Sequence, residues 1–516
     1  MIFDVRNHGA LGDGSNKDTH AIQKAIDACH RAGGGTVLVP PGTYLTGTLF
    51  IKSGVELHLT AGATLLGSPD RADYDNSQNA EHDCGLSDER VGNEHLIYAR
   101  GARQIAITGR GAIDGNGRAF VNISKPNESG REKSVPGWRP GQMVTLFDCQ
   151  DVLIRDVLLR DSPYWTVWPH GCDRLTIERI TILNERHTPN GDGINPDCCR
   201  NVHISDCHIE AGDDCIAIRS DDYRLGSPGR ACENVTVTNC TLSTPKCGVR
   251  LGYAGDGPIR NCTFSNLVMT NTRTGINILV PRDYRPQEHF VVEHGPAIEN
   301  VTFSNLVMDT RLAVYMWIGH DAARPGCIRN IQISDVIATT ERGCYLGGSP
   351  TMPIEQVRLA NWRLTVRGEM DDQFAKEVPF PYPVYGRWDT RGVPHAFFCR
   401  HLRDASFANV CVDWGQATGS WRSAMRAEHV DGIDISHCTL GAAPGATDAP
   451  ALDFQDVQRA SIRGCRVRPR SSVFLRLGGP ATGQNTAVGN DLTGADRSFE
   501  PDKPDSRALR EWANLL

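Results

Sequence analysis

One nine-residue unit recurs along most of this chain, and it restricts the fold more than any other feature. The clearest copies are Asn201-Val-His-Ile-Ser-Asp-Cys-His-Ile209, Asn234–Leu242, Asn261–Met269, Asn300–Met308 and Asn330–Ala338. Asp151–Leu159 and Arg174–Ile182 precede them, and Gln356–Leu364 follows. Asn409–Trp414, Gly432–Leu440 and Arg459–Val467 carry the pattern faintly toward the C-terminus. The strand pattern returns about once per 21 to 39 residues. Each unit holds two alternating apolar runs broken at its middle. A single unit cannot bury its apolar side, so equivalent strands must stack on neighbouring turns and pair their backbones there. A parallel β-helix, an all-β architecture, meets these requirements, and the spacing is too irregular for a closed propeller. About ten or more coils are expected.

The recurring Asn tolerates left-handed turn geometry, and its amide can bond the backbone of the next coil, a structural role. Cys207 and Cys240 hold equal repeat positions and are expected to form a buried thiol stack. Residues 18–32 read as a helix capped by Asp18 or Thr19, with Ala21, Ile22, Ala25, Ile26 and Cys29 on its apolar face. Gly33-Gly34-Gly35 stops it. Such a helix would cover the open N-terminal end of the stack, where unpaired edges need protection. The polar, Gly- and Pro-rich excursions at 69–94 and 118–142, and the stretch 371–398, read as loops that border a groove. The β-helix domain is placed at 1–480 and a C-terminal extension at 481–516, with a short terminal helix over Asp505–Leu516.

The chain has 516 residues, a net charge of -7 and a pI near 6.2. Its basic residues are dispersed, which argues against nucleic-acid binding. No run of apolar residues is long enough to cross a membrane as a helix. The start, Met1–Gly9, lacks a basic head and an apolar run. This predicts a cytoplasmic protein, or a periplasmic or secreted one whose leader was removed. The 18 cysteines include no Cys-x-x-Cys cluster, so reduced buried thiols are expected rather than structural zinc. A monomer or small homo-oligomer is expected.

Chemistry concentrates in Asn190-Gly-Asp-Gly-Ile-Asn-Pro-Asp197 and Ala211-Gly-Asp-Asp-Cys-Ile-Ala-Ile218. Asp192 lies 21 residues before Asp213, and Asp214 adjoins it. In a coil repeat, one turn along the chain can mean directly above in space. Three carboxylates sharing one patch can do general acid and base work on a glycosidic bond. Gly191, Gly193 and Gly212 would let a bulky ligand approach. Two other readings stay open on the residues alone. The aspartates are ordinary turn residues, or they bind calcium with Asp197, Asp221 and Asp222.

These residues resemble glycoside hydrolase family 28, the polygalacturonase-like enzymes. Phe3–Gly14, Asp18-Thr19, the Gly-Gly-Gly and Val39-Pro-Pro-Gly42 block and Ser162–Pro169 look like family segments. Asn190-x-Asp192-Gly193 and Gly212-Asp213-Asp214 match two of its catalytic motifs, and Pro394–His401 resembles a late segment. The resemblance covers roughly residues 2–440 and implies a right-handed single-stranded parallel β-helix and inverting hydrolysis. It implies Asp213 as general acid and Asp192 with Asp214 as the pair that activates water. Asn190 would orient Asp192 or touch sugar. No cofactor or metal is implied.

The resemblance then departs from the pectinase pattern. Lys246, in Thr244–Val249, stands where the family's Gly-His-Gly histidine would be. Asn277 and Leu279 replace the two cations of Arg-Ile-Lys, which holds a substrate carboxylate. A uronate desolvated there would lack its partners. Arg250, Lys246, Arg273 or Arg282 could restore the charge from elsewhere. Tyr315, Trp317 and His320 are further substrate-binding candidates: facing outward, the two aromatics would stack on sugar, and facing inward they are core. Trp165 and Trp168 pose the same question. Trp388 and His395 lie in a loop that could close one end of a groove. The expected activity is inverting hydrolysis of plant cell-wall or pectic oligosaccharides, exo-acting rather than typical endo-polygalacturonase action. The alternatives are a lyase acting on a uronate-containing glycan and a noncatalytic glycan-binding β-helix.

Overall fold

The Asn that opens each repeat unit bends the chain through the left-handed region. In the computed structural model φ is 56° at Asn201, 58° at Asn234, 56° at Asn300 and 53° at Asn330. Five residues later the same turn recurs, with φ of 58° at Asp206, 56° at Asn239, 55° at Asn305 and 57° at Asp335. Asn and Asp are the non-glycine residues that enter this region most readily. The break between the two apolar runs of a unit is therefore a corner. Residues 78–92, 127–132, 224, 254, 281–292, 321, 371–392, 502–506 and 516 lie outside the described part of the structure.

The side chains at these corners bond to one another from coil to coil. Asn234 Nδ2 donates to Asn201 Oδ1 at 3.1 Å, and Asn330 Nδ2 to Asn300 Oδ1 at 2.7 Å. At the second corner Asn239 Nδ2 donates to Asp206 Oδ1 at 3.1 Å and Asn409 Nδ2 to Asn361 Oδ1 at 3.0 Å. The expected amide-to-backbone bond is found in later coils, where Asn485 Nδ2 donates to the Val457 carbonyl at 3.1 Å. Elsewhere the partner is the neighbouring amide or carboxylate, because stacked corners place like side chains within reach.

Two compact units of parallel β-helix are present. In Met1–Cys262 the helix Thr19–Arg31 lies against the strands Ile2–Asp4, Gly35–Val39, Leu49–Phe50 and Val55–Leu59. Ile22, Ala25, Ile26 and Cys29 are fully buried, as the apolar face predicts. Asp18 makes no side-chain cap. Its carboxylate instead accepts from the Leu11 and Gly12 amides at 2.7 and 3.0 Å, holding down the segment before the helix. Parallel pairing runs from Gly35–Val39 through Val55–Leu59, Arg103–Gly109, Gln150–Arg155, Asp173–Glu178 and Arg200–Ser205 to Cys232–Ser243. Val152, Leu175, Val202 and Val235 therefore stack as one buried column. Cys207 and Cys240 are buried, reduced and in contact, as their equal positions predict.

In the second unit, parallel pairing joins Ile298–Ile318, Ile328–Thr340, Ile354–Val366, Leu402–Asp413, Asp431–Ser436 and Gln458–Arg463. Phe303, Ile333, Leu359, Phe407, Ile435 and Ile462 fill its interior. The stack continues through Asn485–Val488 to Leu509–Trp512. Where the sequence predicts a terminal helix over Asp505–Leu516, the described residues hold a strand instead, Leu509–Trp512. Asn514 Oδ1 accepts from Asn490 Nδ2 at 3.0 Å, so the Asn ladder, not local helix preference, decides this end.

Candidate active site

Parallel bridges join Val167, Ile194 and Ile216 on successive coils, and Ile216 pairs with Val249. Counting back two residues puts Asp192, Asp214 and Cys247 level with one another, and Asp213 level with Lys246. The backbone fixes this arrangement directly. Gly193 N–H donates to the Asp214 carbonyl at 2.8 Å, and Cys247 N–H to the Asp214 carboxylate at 3.1 Å. One carboxylate oxygen from each of Asp192, Asp213 and Asp214 lies within 4.8 Å of the others.

The glycines around the acids serve the chain itself. A Cβ on Gly193 would stand 2.4 Å from the Cys215 carbonyl oxygen, and one on Gly212 would stand 2.7 Å from that of Glu185. Their small size lets neighbouring coils close on each other. This role differs from the ligand approach expected from sequence.

Asp192 and Asp214 are only 2% and 1% exposed, while Asp213 is half-buried. Burial, reinforced by Asp213 and Asp214, pushes the Asp192 carboxyl well above the usual range. Arg250 and a 2.9 Å bond from Asn195 Nδ2 oppose that push. Burial also raises Asp214, against the Arg250 guanidinium 2.7 Å from its Oδ2. Burial disfavours the charge on Arg250, but Asp214 and Asp192 more than compensate and hold it protonated. Lys246 Nζ stands 3.8 Å from Asp213 Oδ2.

The bond that orients Asp192 therefore comes from Asn195, three residues on, and not from Asn190. Asn190 has φ 55° and accepts through Oδ1 from Arg139 Nη2 at 3.1 Å. Sequence reading missed Asn195, Arg139 and Thr244, whose hydroxyl donates to the Asp213 carbonyl. Asn195 carried a local signal, being inside the Asp192 motif. Arg139 carried none, because its partners lie 24 to 51 residues away.

The other candidates divide as follows. Lys246 and Arg250 share the unit of the acids and are engaged by them. Trp165 and Trp168 are both buried, the latter donating to Asp197 Oδ2 at 3.4 Å. Asn277, Tyr315, Trp317 and His320 belong to the second unit. Val314, Met316 and Ile318 are fully buried there, so Tyr315 and Trp317 occupy the opposite face of their strand. Tyr315 is half-buried and stacks on Tyr345 at 5.2 Å, which covers one of its ring faces. Trp317, His320 and Asn277 are buried, and His320 Nδ1 accepts from the Ala322 amide at 3.1 Å. Arg282 and Trp388 lie outside the described residues, as do most of 371–398 and residues 78–92 of the 69–94 loop. The 118–142 loop carries a short antiparallel pair, Asn122–Pro126 with Lys133–Ser134.

Two groups among the described residues gather possible metal ligands: Asp192 with Asp213 and Asp214, and His170 with Asp197 and Cys198. Cationic side chains already face both. Arg250 and Lys246 serve the first, and Arg219 Nε stands 3.4 Å from Asp197 in the second. Asp197, considered as a calcium ligand from sequence, thus sits in a buried ion pair.

The sequence profile of glycosyl hydrolases family 28 matches residues 29–344. A probable polygalacturonase of Vitis vinifera is 27% identical over 390 residues, covering 72% of this chain and 75% of that protein. An endo-polygalacturonase of Pectobacterium carotovorum subsp. carotovorum is 26% identical over 364 residues, covering 68% and 85%. The chain spans about half the length of some other curated relatives. The family 28 exopolygalacturonase of Yersinia enterocolitica has the same fold, with a TM-score of 0.60 at 20% identity over 84% of this chain and 78% of that one. With the family profile covering most of the chain, and the carboxylates of its two motifs meeting in one patch, this protein belongs to glycosyl hydrolases family 28.

Proposed function

We propose that this glycoside hydrolase is an exo-acting, inverting enzyme for pectic or related plant cell-wall oligosaccharides, and not a typical endo-polygalacturonase. The meeting of Asp192, Asp213 and Asp214 within 4.8 Å carries the reading. Asp213, the least buried of the three, donates a proton to the glycosidic oxygen. Asp192 and Asp214, level on adjacent coils, seat and deprotonate the attacking water. Arg250 opposes the burial that raises both carboxyls and so favours the ionised form the base needs. The exo preference is supported by the long sequence excursions at 69–94, 118–142 and 371–398, and the departure from endo-polygalacturonase action by Asn277 and Leu279 in place of two clamp cations.

One observation favours a second reading. The closest carboxylate oxygens of the three acids lie within 4.8 Å of one another, which is tight for the water that an inverting site seats between its carboxyl groups. In that case a carboxylate attacks the anomeric carbon directly. Proton NMR of the first-formed product decides: the inverted anomer supports the single displacement, and the retained anomer replaces it. Mass analysis of products from a panel of pectic and neutral oligosaccharides tests the rest. Release of one sugar at a time from a chain end is expected. An unsaturated product would make the protein a lyase, and glycan binding without turnover would make it a glycan-binding protein.

A further inference from the structure

Arg139 lies in the 118–142 loop, yet the residue is only 1% exposed. Nη1 donates to the carbonyls of Pro163 at 2.8 Å and Pro189 at 2.6 Å. Nη2 donates to Asn190 Oδ1, and the group lies over the Tyr164 ring, 4.6 Å from its centroid. Pro189 and Asn190 form the turn that leads into Asp192. The next residue, Gly191, extends the network. Its carbonyl accepts from the Gly212 amide at 2.8 Å, the Asp213 amide at 3.3 Å and Asn184 Nδ2 at 3.3 Å. One turn thus carries Asp192 forward along the chain and holds the backbone of Asp213 across the coil. Arg139 bonds the Pro189–Asn190 side of that turn, and Asn184 its Gly191 side.

A second consequence concerns Asn190. Arginine only donates, so the amide must turn Oδ1 toward it. Nδ2 then points away, and among the described residues it has no protein partner. Asn190 is half-buried, which leaves that donor open to a ligand.

We propose that Arg139 is a positioning residue for glycoside hydrolysis: it sets the Pro189–Gly191 turn that places Asp192 and Asp213, and it fixes Asn190 with its amide donor toward substrate. The proposal rests on the hydrolase reading above. Displacement of reacting groups by about 1 Å costs roughly 10²-fold in rate. Arg139→Ala is therefore expected to lower kcat by about 10²-fold with KM changed by less than about threefold, and Arg139→Lys by about tenfold. Millimolar guanidinium should restore about tenfold of the Arg139→Ala loss by refilling the vacated site. Arg219→Lys, which alters an equally buried arginine bonded to Asp197, is the control: it should lower thermal stability without a selective fall in kcat.

Hydrogen–deuterium exchange of residues 188–193 and 211–214 gives a readout independent of turnover. Faster exchange there in both Arg139 variants is expected, with the rest of the unit unchanged. Unaltered kcat in the folded variants, or a rise in KM alone, overturns the proposal. An equal kcat loss in Arg219→Lys with no guanidinium rescue reduces Arg139 to a structural role. If the wild-type protein turns over no glycan, the hydrolase reading fails, and the exchange data still decide whether Arg139 holds the turn. If Arg139→Ala does not fold, Arg139→Lys decides by the same kinetic and exchange measurements.

Discussion

Arg250 stands 2.7 Å from Asp214 Oδ2 and 4.6 Å from the Tyr253 ring centroid, so one guanidinium joins the buried acids to an aromatic face. Its charge opposes the burial that raises both Asp214 and Asp192. Replacing it by a neutral residue removes the opposition and raises both carboxyls further.

Arg250→Gln is therefore expected to move the acidic limb of the kcat/KM profile to higher pH and to lower activity near pH 6 by about 10–100-fold. The base must be ionised to act, and without Arg250 it ionises only at higher pH. A profile whose limb stays in place while KM rises would show that Arg250 contacts substrate instead.

Asp192→Asn should stabilise the fold at neutral pH. The folded protein retains the Asp192 proton above the ordinary carboxyl value of 3.8, while the unfolded chain releases it. Folding thus binds protons in that window, and this contribution to stability falls as pH rises through the raised folded-state pKa. The neutral amide escapes that loss. A Tm gain on the order of 2 °C at pH 7, shrinking toward pH 4, is expected in calorimetry, together with loss of activity. A gain independent of pH would point to packing rather than charge.

Asp213→Asn should lower kcat by roughly 10²–10⁴-fold, the usual share of a positioned proton donor, with a smaller change in affinity. Full turnover of an unactivated substrate by this variant would remove Asp213 from the acid role.

Polygalacturonan should be a poor substrate beside short oligosaccharides ending in a neutral or differently bound sugar. Each missing charged hydrogen bond to a uronate costs about 1.5–3 kcal/mol, or ten to over a hundred-fold in relative rate. Initial rates on polygalacturonan, trigalacturonate and neutral-capped oligosaccharides check this. A rapid early fall in viscosity with few new reducing ends would defeat both the specificity and the exo assignment.

Gly193→Ala should cost about 1–3 kcal/mol, because the added Cβ meets the Cys215 carbonyl at 2.4 Å. Denaturant titration and kcat measured together should fall in parallel, since the same backbone shift moves Asp192.

The coils were legible because their cause is local. Alternating residues such as Val202 and Ile204 face inward whatever lies above them, and Asn201 and Asp206 mark corners through their own backbone preference. The terminal strand Leu509–Trp512 was not legible. Its pairing with Asn485–Val488 depends on the coil before it rather than on its own composition. Asn190 was singled out for its place in a motif, but the bond to Asp192 comes from Asn195, whose side chain the register turns toward the acid.

By itself the sequence determined that the chain would coil, where it would bend and which three carboxylates one turn of coil could bring together. Those properties follow from periodicity and from spacing along one strand of backbone. The partners of those carboxylates were decided only by the tertiary structure. Arg250 meets Asp214 across 36 residues, Lys246 approaches Asp213 across 33, and Arg139 reaches the Asp192 turn from 51 residues away. Each separation is the length of a whole coil or more, loops included, and loop lengths vary from coil to coil. Outside the nine-residue repeat, which side chain arrives above which is therefore fixed by how the loops bring the stack into register, and no local pattern of residues encodes that.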